Sequence, residues 1–182
     1  PNEAAVEVLN SFKEAGLHLN AYINDQLFME ELTDWGKLYA KNAGVSPHAV
    51  GDQLVELLAK EASHKLLGLG EKAAIDAIQG RLQQQWGEKL QFVKSKPNYL
   101  EILAPGVSKG NALQELINGW GWSREEVMAI GDAPNDLSMI KWAGIGVAIG
   151  NACELVKSQA DLIVADHDHQ GVAAAIQQAL AS

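Results

Sequence analysis

The sequence predicts an α/β protein: helices laid on an antiparallel sheet over the first hundred residues, then a parallel sheet with crossover helices. Three observations point there. The 182 residues are 47% hydrophobic and 20% charged, an ordinary globular composition sized for about one domain and a fraction. Hairpin-type turn residues, Asn24-Asp25 and Lys96-Pro97-Asn98, punctuate the first part. After Pro105-Gly106, short apolar runs alternate with helical periodicity, the pattern of βα units.

In order along the chain, Val6, Leu9 and Phe12 suit an amphipathic helix over Glu3 to Ala15 that Gly16 ends. Leu17, Leu19, Tyr22 and Ile23 read as a strand, returning through Asn24-Asp25 to Leu27 and Phe28. A helix follows from Glu30 to Asn42, stopped by Gly44 and Pro47; Pro47 to Leu58 reads equally as helix or strand. Lys65 to Leu69 is a strand and Glu71 to Trp86 a strongly periodic helix. Leu90 to Val93 and Tyr99 to Leu103 form a second hairpin. Beyond residue 106, helix Lys109 to Asn118 leads to strand Val127 to Ile130 and helix Leu137 to Trp142. Strand Ile145 to Ile149, short helix Ala152 to Lys157, strand Leu162 to Val164 and helix Val172 to Leu180 complete the alternation. The economical division is therefore 1–106 and 107–182. The second block holds about three strands, fewer than the five or six of a typical sheet, so its α/β domain looks incomplete.

Fourteen basic against 23 acidic residues give a net charge of −9, and neither block hides a basic surplus. That argues against nucleic acid or an anionic membrane as the main partner. The longest apolar run, Trp142 to Gly150, is far short of the ~20 residues a membrane helix needs. The opening residues do not read as a signal peptide, and the single cysteine, Cys153, forms no intrachain disulfide. A cytoplasmic protein is expected.

The chemistry concentrates in two places. Asp132 follows strand Val127 to Ile130 and so falls at the carboxyl end of a parallel strand, where open α/β sheets bind ligands. Asp132 and Asp136, with Asn135 between them, offer the hard oxygen donors that suit Mg²⁺ with retained waters. Asp-Ala-Pro-Asn also reads as a plain turn leading into a helix N-cap. The second place is Ser108-Lys109-Gly110. Ser108 suits an N-cap, which puts Lys109 and Gly110 in a helical first turn, where a cation and a glycine are both locally unfavourable. A lysine beside free backbone N–H groups makes a phosphate site, and Gly110 would let backbone approach closely.

Taken together, Ser108-Lys109-Gly110, the run Gly131-Asp132-Ala133-Pro134-Asn135-Asp136-Leu137-Ser138-Met139, and Ala143-Gly144-Ile145-Gly146-Val147-Ala148-Ile149-Gly150-Asn151-Ala152 resemble the C-terminal half of haloacid-dehalogenase-like phosphohydrolases of the Cof-type subfamily. The resemblance covers residues 99 to 180 by motif; the first hundred residues resemble that subfamily's α+β cap by pattern. It implies the C-terminal half of a Rossmann-like core with its parallel sheet, joined to a cap. It also implies Mg²⁺-dependent hydrolysis of a small phosphorylated metabolite, such as a sugar phosphate, through an aspartyl-phosphate. By the same resemblance Lys109 and Asp136 are the catalytic pair, Lys109 and Asn135 bind the substrate phosphate, and Asp132 and Asp136 serve the metal. Phosphoryl transfer is mostly positioning and charge compensation, which such groups supply.

One departure matters. The family's Asp-x-Asp-Gly-Thr nucleophile motif and its Ser/Thr phosphate motif do not occur in the 182 residues. The chain alone is therefore expected to be inactive, to self-associate, or to be complemented by a fragment that supplies the rest of the core. A non-catalytic phosphometabolite-binding or partner subunit is the alternative. Asp166-His167-Asp168 mimics Asp-x-Asp, but His169-Gln170 follows it in place of Gly-Thr, so a solvated loop is expected there. The five tryptophans and Cys153 are expected to pack in the interior.

Overall fold

A computed structural model describes residues 2–180. It divides into two compact units between Pro105 and Gly106.

The first unit is a six-stranded sheet with helices on its faces. Helix α1 (Asn2–Glu14) buries Ala4, Val8, Leu9 and Phe12, one side of a 3.6-residue repeat. Strands β1 (His18–Ile23) and β2 (Gln26–Met29) form the expected hairpin. Asn24 and Asp25 both have positive φ (49° and 59°), the backbone a two-residue hairpin demands. Helix α2 (Asp34–Ala43) starts four residues later than its periodicity suggests, because the Thr33 hydroxyl accepts from the Gly36 N–H (3.3 Å) and fixes the start there. The ambiguous stretch after Pro47 is both things in turn. It gives β3 (Pro47–Ala49), parallel to β2, then α3 (Gln53–Lys60), which buries Leu54 and Leu58. Strand β4 (Lys65–Leu69), helix α4 (Lys72–Trp86), and strands β5 (Gln91–Lys96) and β6 (Tyr99–Leu103) follow. Strand order is β3-β2-β1-β4-β6-β5, antiparallel except for the β2–β3 pair. The main core lies between α1, α3, α4 and one sheet face, with Phe12, Leu19, Ile75, Leu82 and Leu100 buried in it. The opposite face meets α2 through Trp35 and Tyr39.

The second unit carries three parallel strands, β7 (Met128–Gly131), β8 (Ile145–Ala148) and β9 (Leu162–Ile163), in that spatial order. Helix α5 (Lys109–Trp120) precedes β7; α6 (Leu137–Trp142) and α7 (Glu154–Lys157) follow β7 and β8; α8 (Gly171–Leu180) ends the unit. Its interior is built of small clusters, Ile117 with Val127 and Ala129, and Ile140 with Ala148 and Val156.

Two packing expectations are corrected here. Trp120 and Trp122 are more than half exposed. Helix α5 stops at Trp120, Gly121 turns the chain with φ 74°, and the two indoles meet edge to face at 5.3 Å instead of entering the core. Trp35, Trp86 and Trp142 do pack against buried clusters. Cys153 is exposed, because it caps α7 from outside and the residue that helix buries is Val156. Among the described residues no helix is long and apolar enough to cross a membrane.

Candidate functional site

The site is built where β7 ends. Pro134, whose missing N–H costs nothing in a first turn, opens a short 3₁₀ turn over Pro134–Asp136 that runs directly into α6. This geometry turns Asp136 back under the loop, where only 4% of the residue is exposed. Its Oδ2 accepts from the N–H groups of Asp132 (3.0 Å) and Ala133 (3.1 Å). Its Oδ1 accepts from the Lys109 ammonium. One buried carboxylate therefore fixes the loop and ties it to the first turn of α5, twenty-seven residues earlier. Burial pushes the Asp136 carboxyl upward, but the Lys109 hydrogen bond and the two amides outweigh it and hold the group below the usual range.

Lys109 is placed by the start of its helix. The Ser108 hydroxyl caps it, accepting from the Asn111 N–H at 3.1 Å, and the Asn111 amide reaches back to the Gly106 carbonyl at 2.6 Å. Gly110 works differently from the sequence expectation. Its N–H is not free for a phosphate; it donates to Ser138 Oγ at 2.9 Å. A Cβ at Gly110 would lie 2.5 Å from the Ser138 carbonyl oxygen. The glycine lets α5 and α6 touch, and that contact brings Lys109 within reach of Asp136. Ser138 is thus a site residue for which sequence reasoning found no role. Its signal was a small hydroxyl two residues after Asp136, in a run otherwise read only as motif.

Asp132 stands just beyond β7, exposed, and no described residue hydrogen-bonds or pairs with its carboxylate. Its carbonyl accepts from the Cys153 N–H at 3.0 Å, which braces the loop from the β8 side. Asn135 is half-buried in the 3₁₀ turn beside it. Lys109, Asp132, Asn135 and Asp136 thus belong to one corner, with Lys109 and Asp136 in direct contact. Asp166 is occupied within its own turn. Its Oδ1 accepts from the N–H groups of Asp168 and His169, both at 3.0 Å, and pairs with the His169 ring at 2.6 Å, capping its own turn.

The donor set can be tested against Mg²⁺. That ion prefers one or two carboxylates with waters and substrate phosphate completing an octahedron. The unshared Asp132 carboxylate is a donor of the right kind, whereas both Asp136 oxygens are engaged. Among the described residues no three acidic, histidine or cysteine side chains form a metal-binding group. The corner fits part of a magnesium site.

The sequence model of the haloacid dehalogenase-like hydrolases matches residues 1–176. The chain belongs to that family. Among the relatives of this haloacid dehalogenase-like chain are a 5-amino-6-(5-phospho-D-ribitylamino)uracil phosphatase of Bacillus subtilis and a chloroplastic endoribonuclease of Arabidopsis thaliana. The first is 38% identical over 116 residues, 63% of this chain and 47% of that protein. The second is 35% identical over 125 residues, 66% of this chain but 21% of that protein. A haloacid dehalogenase-like hydrolase from Bacteroides thetaiotaomicron superposes with a TM-score of 0.82 at 33% identity, covering 98% of this chain and 66% of that one. The haloacid dehalogenase-like chain therefore spans less than half the length of the two curated relatives and about two thirds of the solved structure.

Proposed function

We propose that residues 106–182 supply the phosphate- and metal-handling side of a phosphomonoester hydrolase acting on a small phosphorylated metabolite such as a sugar phosphate, in a cytoplasmic setting. One observation carries this reading. Asp136 holds Lys109 beside the loop at the carboxyl end of a parallel strand, and the Asp132 carboxylate has no partner among the described residues. A phosphatase among the relatives, the Bacillus subtilis protein named for a phosphorylated ribitylamino-uracil, supports the substrate class.

In this reading Lys109 neutralises the phosphoryl oxygens, Asn135 orients them, and Asp132 would offer its carboxylate to magnesium. Asp136 acts behind them: its carboxylate keeps the lysine aimed at the loop, and it would serve a bound metal through the outer shell. Bound magnesium would draw charge from the phosphoryl oxygens as a Lewis acid. The nucleophilic carboxylate is not among these residues, so the 182-residue chain alone binds phosphate without turning it over.

The test is a titration of the pure chain with inorganic phosphate and Mg²⁺, followed by amide NMR. Saturable shifts at Lys109, Asp132 and Asn135 that vanish in Lys109→Ala and Asp132→Asn are expected, with no release of phosphate from an aryl phosphate. Shifts that ignore both substitutions, or Mg²⁺-dependent turnover by the chain alone, would overturn the reading.

A further inference from the structure

The first unit holds a polar pocket of its own. Tyr39 and Asn42 of α2, Lys65 and Leu67 of β4, Ser95 and Lys96 of β5, and Tyr99 and Glu101 of β6 contribute to a cavity of about 240 Å³. That volume falls a little below the roughly 300 Å³ at which drug-sized ligand sites begin, so it suits a small ligand. The pocket sits on the sheet face that α2 covers only in part.

Its chemistry is specific. The Lys65 ammonium lies 5.2 Å from the ring centre of Tyr22, and the Lys96 ammonium 5.0 Å from that of Tyr99. Neither lysine has an ion-pair partner among the described residues, although most other lysines of the first unit do: Lys13, Lys37, Lys60, Lys72 and Lys94 are all paired with carboxylates. Two cations against the single carboxylate Glu101 leave the pocket net positive in a chain of net charge −9. A local surplus of that sign concentrates anions.

The aromatic rings form the rest of the frame. Tyr39 and Tyr99 pack tilted at 5.9 Å, and the hydroxyls of Tyr22 and Tyr39 share a hydrogen bond of 2.7 Å. Whichever phenol donates in that pair, the other keeps its own O–H to give outward. Burial, with the Tyr22 hydrogen bond, pushes the Tyr39 phenol far above its ordinary range, so it remains a donor at any physiological pH. Asn42 and Ser95 add an amide and a hydroxyl. Glu101 is the pocket's strong acceptor and suits a hydroxyl or amine on the ligand.

We propose that this pocket is a binding site for a small phosphate-bearing anion that also carries hydroxyl groups: Lys65 and Lys96 take the phosphate, Glu101 takes a hydroxyl, and the tyrosines form the wall. The proposal stands on residues of the first unit and does not depend on the Lys109 corner.

The experiment titrates the full chain with ribose 5-phosphate, inorganic phosphate and ribose separately, reading backbone and lysine side-chain NMR signals. Ribose 5-phosphate is expected to give saturable shifts at Tyr39, Lys65, Lys96 and Glu101. Lys65→Met and Lys96→Met should each weaken that binding by about tenfold, the worth of one charge-assisted contact. Glu101→Gln should narrow the advantage of ribose 5-phosphate over inorganic phosphate. Lys109→Ala should leave the shifts at these four residues unchanged, which separates this site from the hydrolase corner. No saturable shifts there, or shifts lost in Lys109→Ala and retained in both lysine variants of the pocket, would overturn the proposal. Ribose binding as tightly as its phosphate would overturn it as well.

Discussion

Asp136 and His18 are buried ionisable side chains whose titration should be visible in stability, and both act in the acid direction for different reasons. Asp136 is held below its ordinary value of 3.8 in the fold; although burial opposes ionisation, Lys109 and the two loop amides prevail. Its contribution is complete above that value and disappears as pH falls through the lower folded one. His18 is held below 6.5, first by burial and against the Asn20 hydrogen bond. The fold keeps it neutral between Asn20 (2.8 Å) and Thr33 (2.8 Å). The unfolded chain takes up the proton first, so this contribution is present above 6.5 and declines as pH drops below it. Urea unfolding across pH should therefore show a slope beginning near 6.5 that His18→Gln flattens. Asp136→Asn should cost about 2 kcal/mol near neutrality, since its NH2 must face either the Lys109 ammonium or the two loop N–H groups, donors in both cases. A substitution cost that vanishes at neutral pH would mean the carboxylate does not hold the loop.

At the scale of elements, the meeting of α5 and α6 explains the site, and two glycines on one helix separate packing from propensity. Gly110→Ala gains helix propensity but drives a methyl to within 2.5 Å of the Ser138 carbonyl oxygen. The net effect should be a loss of about 1 to 3 kcal/mol by denaturant unfolding. Gly119→Ala, where a Cβ meets nothing within 4 Å, should instead gain up to about 1 kcal/mol. Equal effects at the two positions would remove the steric account. This contrast also marks what the sequence could and could not disclose. The helix, its Ser108 cap and the strand before Asp132 followed from periodicity and capping chemistry, which are local. The sequence offers Gly110 as room for close backbone approach to a ligand, whereas the space is filled by Ser138 from another helix, and that partner is a tertiary fact. The division of residues 47–60 into β3 and α3 is hidden for the same reason, whereas the late start of α2 is set locally by the Thr33 cap. Val50 and Gly51 donate to the carbonyls of Met29 and Glu30, bonds between segments twenty-one residues apart.

Across the whole molecule, the two units differ in how fully each buries itself, and the last prediction follows from that. The first unit closes a large continuous core against a six-stranded sheet. The second has three strands, several small clusters, and Leu155, Ile163, Val172, Ile176 and Leu180 exposed. Ile163 lies on β9, a strand at the sheet's edge that pairs on one side with β8 and is 58% exposed there. Edge strands with apolar side chains and free backbone groups recruit other strands unless a charge is placed on them. The 182-residue chain should therefore associate as its concentration rises, with a weight-average mass in sedimentation equilibrium above that of the monomer. Ile163→Lys should reduce this association without lowering unfolding stability by more than about 0.5 kcal/mol, since the side chain is already largely in water. Association unchanged by that lysine, in a chain that unfolds as the parent does, would place the contact away from the β9 edge. A chain that stays monomeric at every concentration would show that three strands bury enough of themselves to stand alone.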